Sequence, residues 1–202
     1  MTTSDTPAST ERVVRTDVLV VGAGPGGSSA AIHLARLGRD VLLVDGAEFP
    51  RDKACGDGLT PRAVAELQTL KLDHILEGAP VNHGLRGHGF GRSLMLPWNG
   101  PHLPKRGSAI ARTVLDNSLR EAALDAGATG LDGHRAVDVE IDGGRLRAVV
   151  LRGKDGPVRI EANHVVVADG GKSHLGRLLG RTWHQETVFG VASRAYATSP
   201  MA

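Results

Sequence analysis

Residues 22–27 read Gly-Ala-Gly-Pro-Gly-Gly, a Gly-x-Gly-x-x-Gly segment whose chemistry belongs to the backbone rather than to side chains. In such a segment Gly22 permits a tight turn, Gly24 lets the main chain approach a pyrophosphate, and Gly27 lets the following helix pack closely on a sheet. Pro25 and Gly26 open that helix, whose first N–H groups and partial positive charge suit an anion. Asp45 follows Gly22 by 23 residues. A carboxylate there accepts hydrogen bonds from ribose hydroxyls and repels a ribose 2′-phosphate, which points to FAD or NAD rather than NADP. In a chain with 27 Gly among 202 residues the pattern alone is weak, and a ligand-free turn is the alternative. Its context carries it: an apolar run before, a helical pattern after, and Asp45 at the end of the next apolar run.

Three further segments could do chemistry. Val165-Val166-Val167-Ala168-Asp169-Gly170-Gly171-Lys172-Ser173 is an apolar strand turning at Asp169 and Gly170, with Arg177 just beyond; the plain alternative is an ordinary turn. Phe49-Pro50-Arg51-Asp52-Lys53-Ala54-Cys55-Gly56-Asp57-Gly58-Leu59-Thr60-Pro61-Arg62 is a polar, glycine-bearing loop holding the single Cys. A lone Cys is otherwise a small apolar packing residue. Arg112 opens an amphipathic stretch. A cation there opposes the helix dipole, which favours a functional reason over a solvated side chain.

The elements that must position these residues follow from pattern. Asp17–Val21 and Val41–Asp45 read as buried parallel strands flanking a helix over 25–37, a βαβ unit with a right-handed crossover. A helix is expected from Pro61 to Leu70, with Pro in its first turn. Residues 80–107 read as a hairpin-rich insertion with Ser93–Pro97 strand-like. Residues 113–126 place Val114, Leu115, Leu119, Ala122, Ala123 and Ala126 at helical spacing, with Gly127 as the stop. A β meander over 134–168 turns at Asp142-Gly143-Gly144 and Asp155-Gly156. A short helix over 173–180 and a strand over Val188–Tyr196 complete the chain. Residues 1–15 read as a tail, 16–182 as the nucleotide-binding domain, and 183–202 as the start of a further domain. No internal repeat and no dividing linker is seen.

The Asp169-Gly170 turn resembles the motif of hydroxylase-type flavoproteins of the glutathione-reductase class, where it lies near the pyrophosphate and ribityl region. With the Pro50-Arg51-Asp52-Lys53-Ala54-Cys55-Gly56 loop, the chain from about Asp17 onward resembles the geranylgeranyl reductase family of FAD-dependent oxidoreductases, in particular its actinobacterial members that saturate a double bond in the isoprenoid tail of a quinone. The resemblance implies an α/β fold: a Rossmann-like parallel sheet, an antiparallel meander and the beginning of a substrate-binding sheet. It implies FAD as cofactor and reduction of isolated C=C bonds in a prenyl chain, on a prenylated lipid or quinone, with an external electron donor. It places Cys55, Gly56 and Gly58 at the flavin, Arg112 at the phosphates or ribityl chain, and backbone groups of Ala136 at the adenine. No catalytic acid can be named. Two rivals stand: an aromatic hydroxylase or halogenase on the same frame, and an FAD-binding fragment without turnover. The family's later Gly-Asp-Ala motif has no counterpart after Gly170, so the chain is expected to be the N-terminal part of an enzyme about twice as long.

Composition excludes other classes. A net charge of +2 does not call for nucleic acid, although the pI is near 9.0. One Cys excludes a disulfide framework, and the nine His residues form no metal-ligand spacing. No Gly-x-Ser-x-Gly supports a hydrolase. Trp98 and Trp183 read as packing residues. No apolar run reaches the ~18 residues of a membrane span, and the N-terminus lacks a signal-peptide core. The expected location is the cytoplasm, with peripheral contact at the inner face of the membrane.

Overall fold

The computed structural model describes residues 12–182, 186 and 190–198. In chain order the elements are β1 (Arg12–Val21), α1 (Pro25–Arg36), β2 (Val41–Val44), β3 (Gly58–Leu59), α2 (Pro61–Leu70), a 3-10 turn (Asp73–Leu76), β4 (Val81–Asn82), β5 (Gly84–Gly89), β6 (Arg92–Pro97), β7 (Gly107–Ala109), α3 (Arg112–Asp125), β8 (Thr129–Leu131), β9 (Arg135–Asp142), β10 (Arg145–Gly153), β11 (Gly156–Val167) and α4 (His174–Leu178). They fall into two compact units, Met1–Glu48 with Ala123–Trp183, and Phe49–Ala122 with His184–Ala202.

The first unit is built on a six-stranded sheet of order β8-β2-β1-β11-β10-β9. β1 pairs in parallel with β2 and β11, and β2 with β8. β10 runs antiparallel to both β11 and β9. The mixed α/β fold with a mostly parallel sheet is the one expected. Val18–Val21 and Val41–Val44 are buried throughout, as continuous apolar runs must be when a strand is covered on both faces. The core joins Leu19, Val21, Leu42 and Val44 to Val149, Leu151, Val158 and Ile160 of the meander and to Leu175 of α4. β1 begins five residues before the expected Asp17. Arg12–Thr16 pair with Val158–Ala162 of the long β11. Backbone pairing with that partner, together with Val14 packing against the core, extends the strand into the segment read as tail.

In the second unit a small sheet of order β3-β7-β4 carries α2. That helix starts at Pro61 and buries Val64, Leu67 and Leu70. The β5–β6 hairpin matches Leu85 with Leu96 and Gly87 with Leu94. Leu85, Phe90, Leu94 and Leu96 are exposed. Trp98 donates from its indole N–H to Asn82 at 2.7 Å. The strand expected over Val188–Tyr196 is not formed across 190–198, where the chain has no regular element; Arg194 and Tyr196 are engaged by side-chain contacts instead. Trp183, Val188 and Phe189 lie outside the described residues. Among the described residues no helix is long and apolar enough to cross a membrane.

Candidate functional site

In the first unit the structure brings together three of the motifs read from sequence. Gly22 leaves the end of β1 with φ +106°, and its N–H donates to the Val44 carbonyl at 2.7 Å. A Cβ on Gly22 would lie 2.3 Å from the carbonyl oxygen of Ala168, and one on Gly27 would lie 1.8 Å from that of Gly22. The end of β1, the first turn of α1 and the Asp169-Gly170 turn therefore meet at backbone distance, which only glycine permits. Gly24 is the N-cap of α1 with Pro25 behind it, and no side chain caps the helix or places an acid in its first turn. A Cβ on Gly26 meets no protein atom within 4 Å.

Asp45 stands beside this turn. Its carboxylate accepts from the Ala23 N–H at 2.8 Å and the Ala47 N–H at 2.9 Å. The acid thus brackets the glycine turn through both carboxylate oxygens, a role that the spacing alone did not reveal. Asp169 is also committed to its own chain: it accepts from the Ser173 hydroxyl and from the Leu175 N–H at 2.9 Å. Ser173 in turn caps α4, accepting from the Gly176 N–H at 2.7 Å. Ala136 is buried in β9 opposite Leu151, so only its backbone can serve a ligand. Neighbouring Arg135 lies across Gly46; a Cβ there would be 3.3 Å from its Nε.

The second unit holds Cys55, Gly56, Gly58 and Arg112. Cys55 is free and half-buried. Gly58 pairs with Ala109, and the Ile110 N–H donates to the Asp57 carbonyl at 3.0 Å, tying the loop to the approach to α3. Arg112 is bidentate to Asp116, at 2.6 and 2.7 Å. Arg51 reaches the same carboxylate at 3.0 Å. Asp116 is fully buried. Its hydrogen bond, working against burial, holds the Arg112 guanidinium above its ordinary value, with a smaller contribution from a hydrogen bond to Cys55. Arg51 also lies over the Phe49 ring at 4.9 Å. Asp116 and Arg51 were not anticipated. The i,i+4 spacing of Arg112 and Asp116 is the signal that was available for one of the two pairings.

An open cleft of about 380 Å³ lies elsewhere in the first unit, lined by Arg15, Thr16, Asp17, Asp40, Glu161, Ala162 and Asn163. It sits midway along the β1–β11 pairing, beside Asp40 at the amino end of β2, whereas ligands of open α/β sheets bind beyond the carboxyl ends of the strands. Gly22 and Asp45 occupy that carboxyl end. Among the described residues no group of three or more His, Cys, Asp and Glu is placed to hold a metal.

A sequence profile described as "FAD binding domain" matches residues 15–200. The chain belongs to the FAD-binding domain family. FAD is its cofactor, and the cradle fits: glycines stand where a Cβ would collide with backbone, and the helix start carries no side-chain cap. The FAD-binding domain is 55% identical over 189 residues to a menaquinone reductase of Mycolicibacterium smegmatis, covering 93% of this chain and 46% of that protein. It is 34% identical to digeranylgeranylglycerophospholipid reductase 1 of Methanopyrus kandleri over 81% of this chain and 42% of that protein. These findings bear out the geranylgeranyl reductase resemblance. Among solved structures, a geranylgeranyl bacteriochlorophyll reductase-like protein of Thermoplasma acidophilum aligns with TM-score 0.67 and 28% identity, covering 84% of this chain and 43% of that one. The myxobacterial chondrochloren halogenase, a FAD-dependent halogenase, aligns with TM-score 0.71 and 26% identity over 79% of this chain and 38% of that one. The chain spans about half the length of the curated relatives it matches.

Proposed function

We propose that the protein to which this chain contributes reduces isolated C=C bonds in the prenyl chain of a menaquinone- or geranylgeranyl-type lipid, using FAD. The observation that carries the reading is the 55% identity to menaquinone reductase across 93% of the chain. When bound, FAD supplies the two-electron redox chemistry. The chain's own residues bind and orient it. The Gly22–Gly27 turn and the α1 N-terminus receive the pyrophosphate, Asp45 the adenosine ribose, and backbone groups of Ala136 the adenine. Asp169 and Gly170 border the pyrophosphate and ribityl region. Cys55, Gly56 and Gly58 line the flavin, and Arg112, oriented by Asp116, presents its remaining N–H groups to phosphate or ribityl oxygens.

The test is anaerobic incubation of the complete protein with dithionite-reduced FAD and a menaquinone bearing an unsaturated tail. Mass spectrometry should show a product heavier by about two mass units per reduced double bond, the two hydrogens added at the alkene. Recovery of unchanged quinone, or an oxygenated or halogenated product formed only in air, would overturn the reading in favour of the halogenase- and hydroxylase-type relatives.

The lipid substrate implies an encounter at the inner face of the cytoplasmic membrane. The exposed Leu85, Phe90, Leu94 and Leu96 of the β5–β6 hairpin support this, as does the absence of any Asp or Glu between Glu77 and Asp116 in a segment carrying Arg86, Arg92, Lys105 and Arg106. The complete protein should co-sediment with anionic phospholipid vesicles and be released by high salt. Protein left in the supernatant at low salt would reject the peripheral contact.

A further inference from the structure

We propose that Arg194 and Tyr196 are positioning residues that latch the Phe49–Thr60 loop closed around Cys55. This rests on the reading above that the loop lies against the flavin, and it adds two residues that no motif in the chain suggests. All the groups involved belong to the second unit. The Arg194 guanidinium reaches Asp52 at 2.5 Å and Asp57 at 3.5 Å. The Tyr196 hydroxyl donates to the same Asp57 oxygen at 2.7 Å and accepts from Arg194 at 2.8 Å. The guanidinium stacks 4.5 Å from the centroid of the Tyr196 ring. Asp52 lies three residues before Cys55 and Asp57 two residues after it. One cation therefore ties both shoulders of the Cys55 turn to each other.

The loop needs such an external tie. Asp57 holds a left-handed backbone, φ +57°, a conformation that a non-glycine residue keeps only when its surroundings impose it. Its other carboxylate oxygen is buried without a hydrogen-bond partner. That arrangement is costly to maintain and opens readily once its compensating contacts are removed. Without Arg194, Asp52 and Asp57 would bring like charge to the two shoulders of one turn. The arginine also holds the Asp52 carboxyl below its ordinary range, through their hydrogen bond first. Closure by Arg194 and Tyr196 fixes Cys55 against Arg112 before any ligand arrives, so the loop is organised by residues nearly 140 positions downstream of it.

The experiment measures iodoacetamide labelling of Cys55 by peptide mass spectrometry in the complete protein, stripped of FAD and then reloaded. Removing the ion pair in Arg194→Ala should raise the labelling rate of the stripped protein about 5–30-fold, the factor for one to two kcal/mol of lost closure. Tyr196→Phe should give a smaller rise. Arg194→Lys should restore part of the protection, because an ammonium lacks the planar fork needed to span two carboxylates. Labelling at the wild-type rate or slower in both Arg194→Ala and Tyr196→Phe would overturn the latch. If Arg194→Ala fails to fold, Tyr196→Phe, which removes one hydroxyl, decides alone. The underlying reading is scored separately: FAD should slow Cys55 labelling in the wild type. Loss of protection in the variants without any FAD effect would leave the latch standing and remove the loop from the flavin.

Discussion

At the carboxyl end of β1 the glycine turn is held by backbone atoms, whereas the Cys55 loop of the other unit is held by carboxylates and guanidiniums. Around Gly22 and Gly27 the close contacts are carbonyl oxygens at distances that no side chain survives. Around Asp116 they are Arg51 and Arg112 converging on one buried carboxylate; around Asp52 and Asp57 they are Arg194 and Tyr196. The two constructions fail differently. A backbone-built turn is insensitive to what surrounds it but intolerant of one added carbon. A charge-built loop tolerates changes of shape and collapses when one charge is deleted.

The largest effect should come from that second construction. Asp116 is fully buried, and both arginine side chains that it pairs are only 16% exposed. Asp116→Ala leaves two largely buried guanidiniums without their shared carboxylate. Breaking a buried pair from one side costs about 3–5 kcal/mol, so denaturant unfolding of the complete protein should show a loss of that order. Adding Arg112→Met to Asp116→Ala should return part of it, since one of the two stranded charges is then gone as well. A single variant within about 0.5 kcal/mol of wild type, the range of ordinary surface substitutions, would show that solvent already satisfies these arginines and that the loop is not charge-built.

The same division decides how much could be read from sequence. The glycine fingerprint, Asp45, the flanking apolar runs and the hairpin turns of the meander are local signals, each written within a few residues. The observed strands and helices fall within a few residues of those readings, except where pairing over distance sets the limit. β1 gains Arg12–Thr16 because β11 is long enough to pair with them; the β-branched Val13, Val14 and Thr16 favour a strand there, but the flanking Arg12 and Arg15 break the continuous apolar run by which the rest of β1 is recognised. The second unit is harder still. Arg51 meets Asp116 across 65 positions, and Arg194 meets Asp52 across 142. An arginine carries no periodicity that tells which carboxylate it will meet. The Cys55 loop was legible as a candidate for chemistry through resemblance, while the residues that hold it in place were not. The last segment was read as a strand from its apolar content, yet its described part is organised through Arg194 and Tyr196, the two side chains that pattern reading passed over.

The smaller effect sharpens the comparison inside the first unit, using two adjacent glycines as opposites. A methyl group on Gly27 would sit 1.8 Å from the Gly22 carbonyl oxygen and 3.1 Å from the Ala168 side chain. Neither can move without shifting the β1 turn or the strand end behind it, so Gly27→Ala should cost about 1–3 kcal/mol of stability, the usual range for overpacking. A methyl group on Gly26 meets no protein atom, and Gly26 lies inside α1. Replacing a helical glycine by alanine is neutral or favourable by up to about 1 kcal/mol. Gly26→Ala should therefore unfold at or slightly above the wild-type temperature, and any damage must appear in ligand binding. If the α1 N-terminus receives the pyrophosphate, the added methyl crowds it. FAD affinity measured by fluorescence titration should then fall about tenfold, the equivalent of about 1.4 kcal/mol. In Gly27→Ala the losses of stability and of affinity should move together; in Gly26→Ala they should separate. Wild-type FAD affinity in Gly26→Ala would move the phosphate site away from this helix, and a fully stable Gly27→Ala would show that the turn is not built from backbone contact.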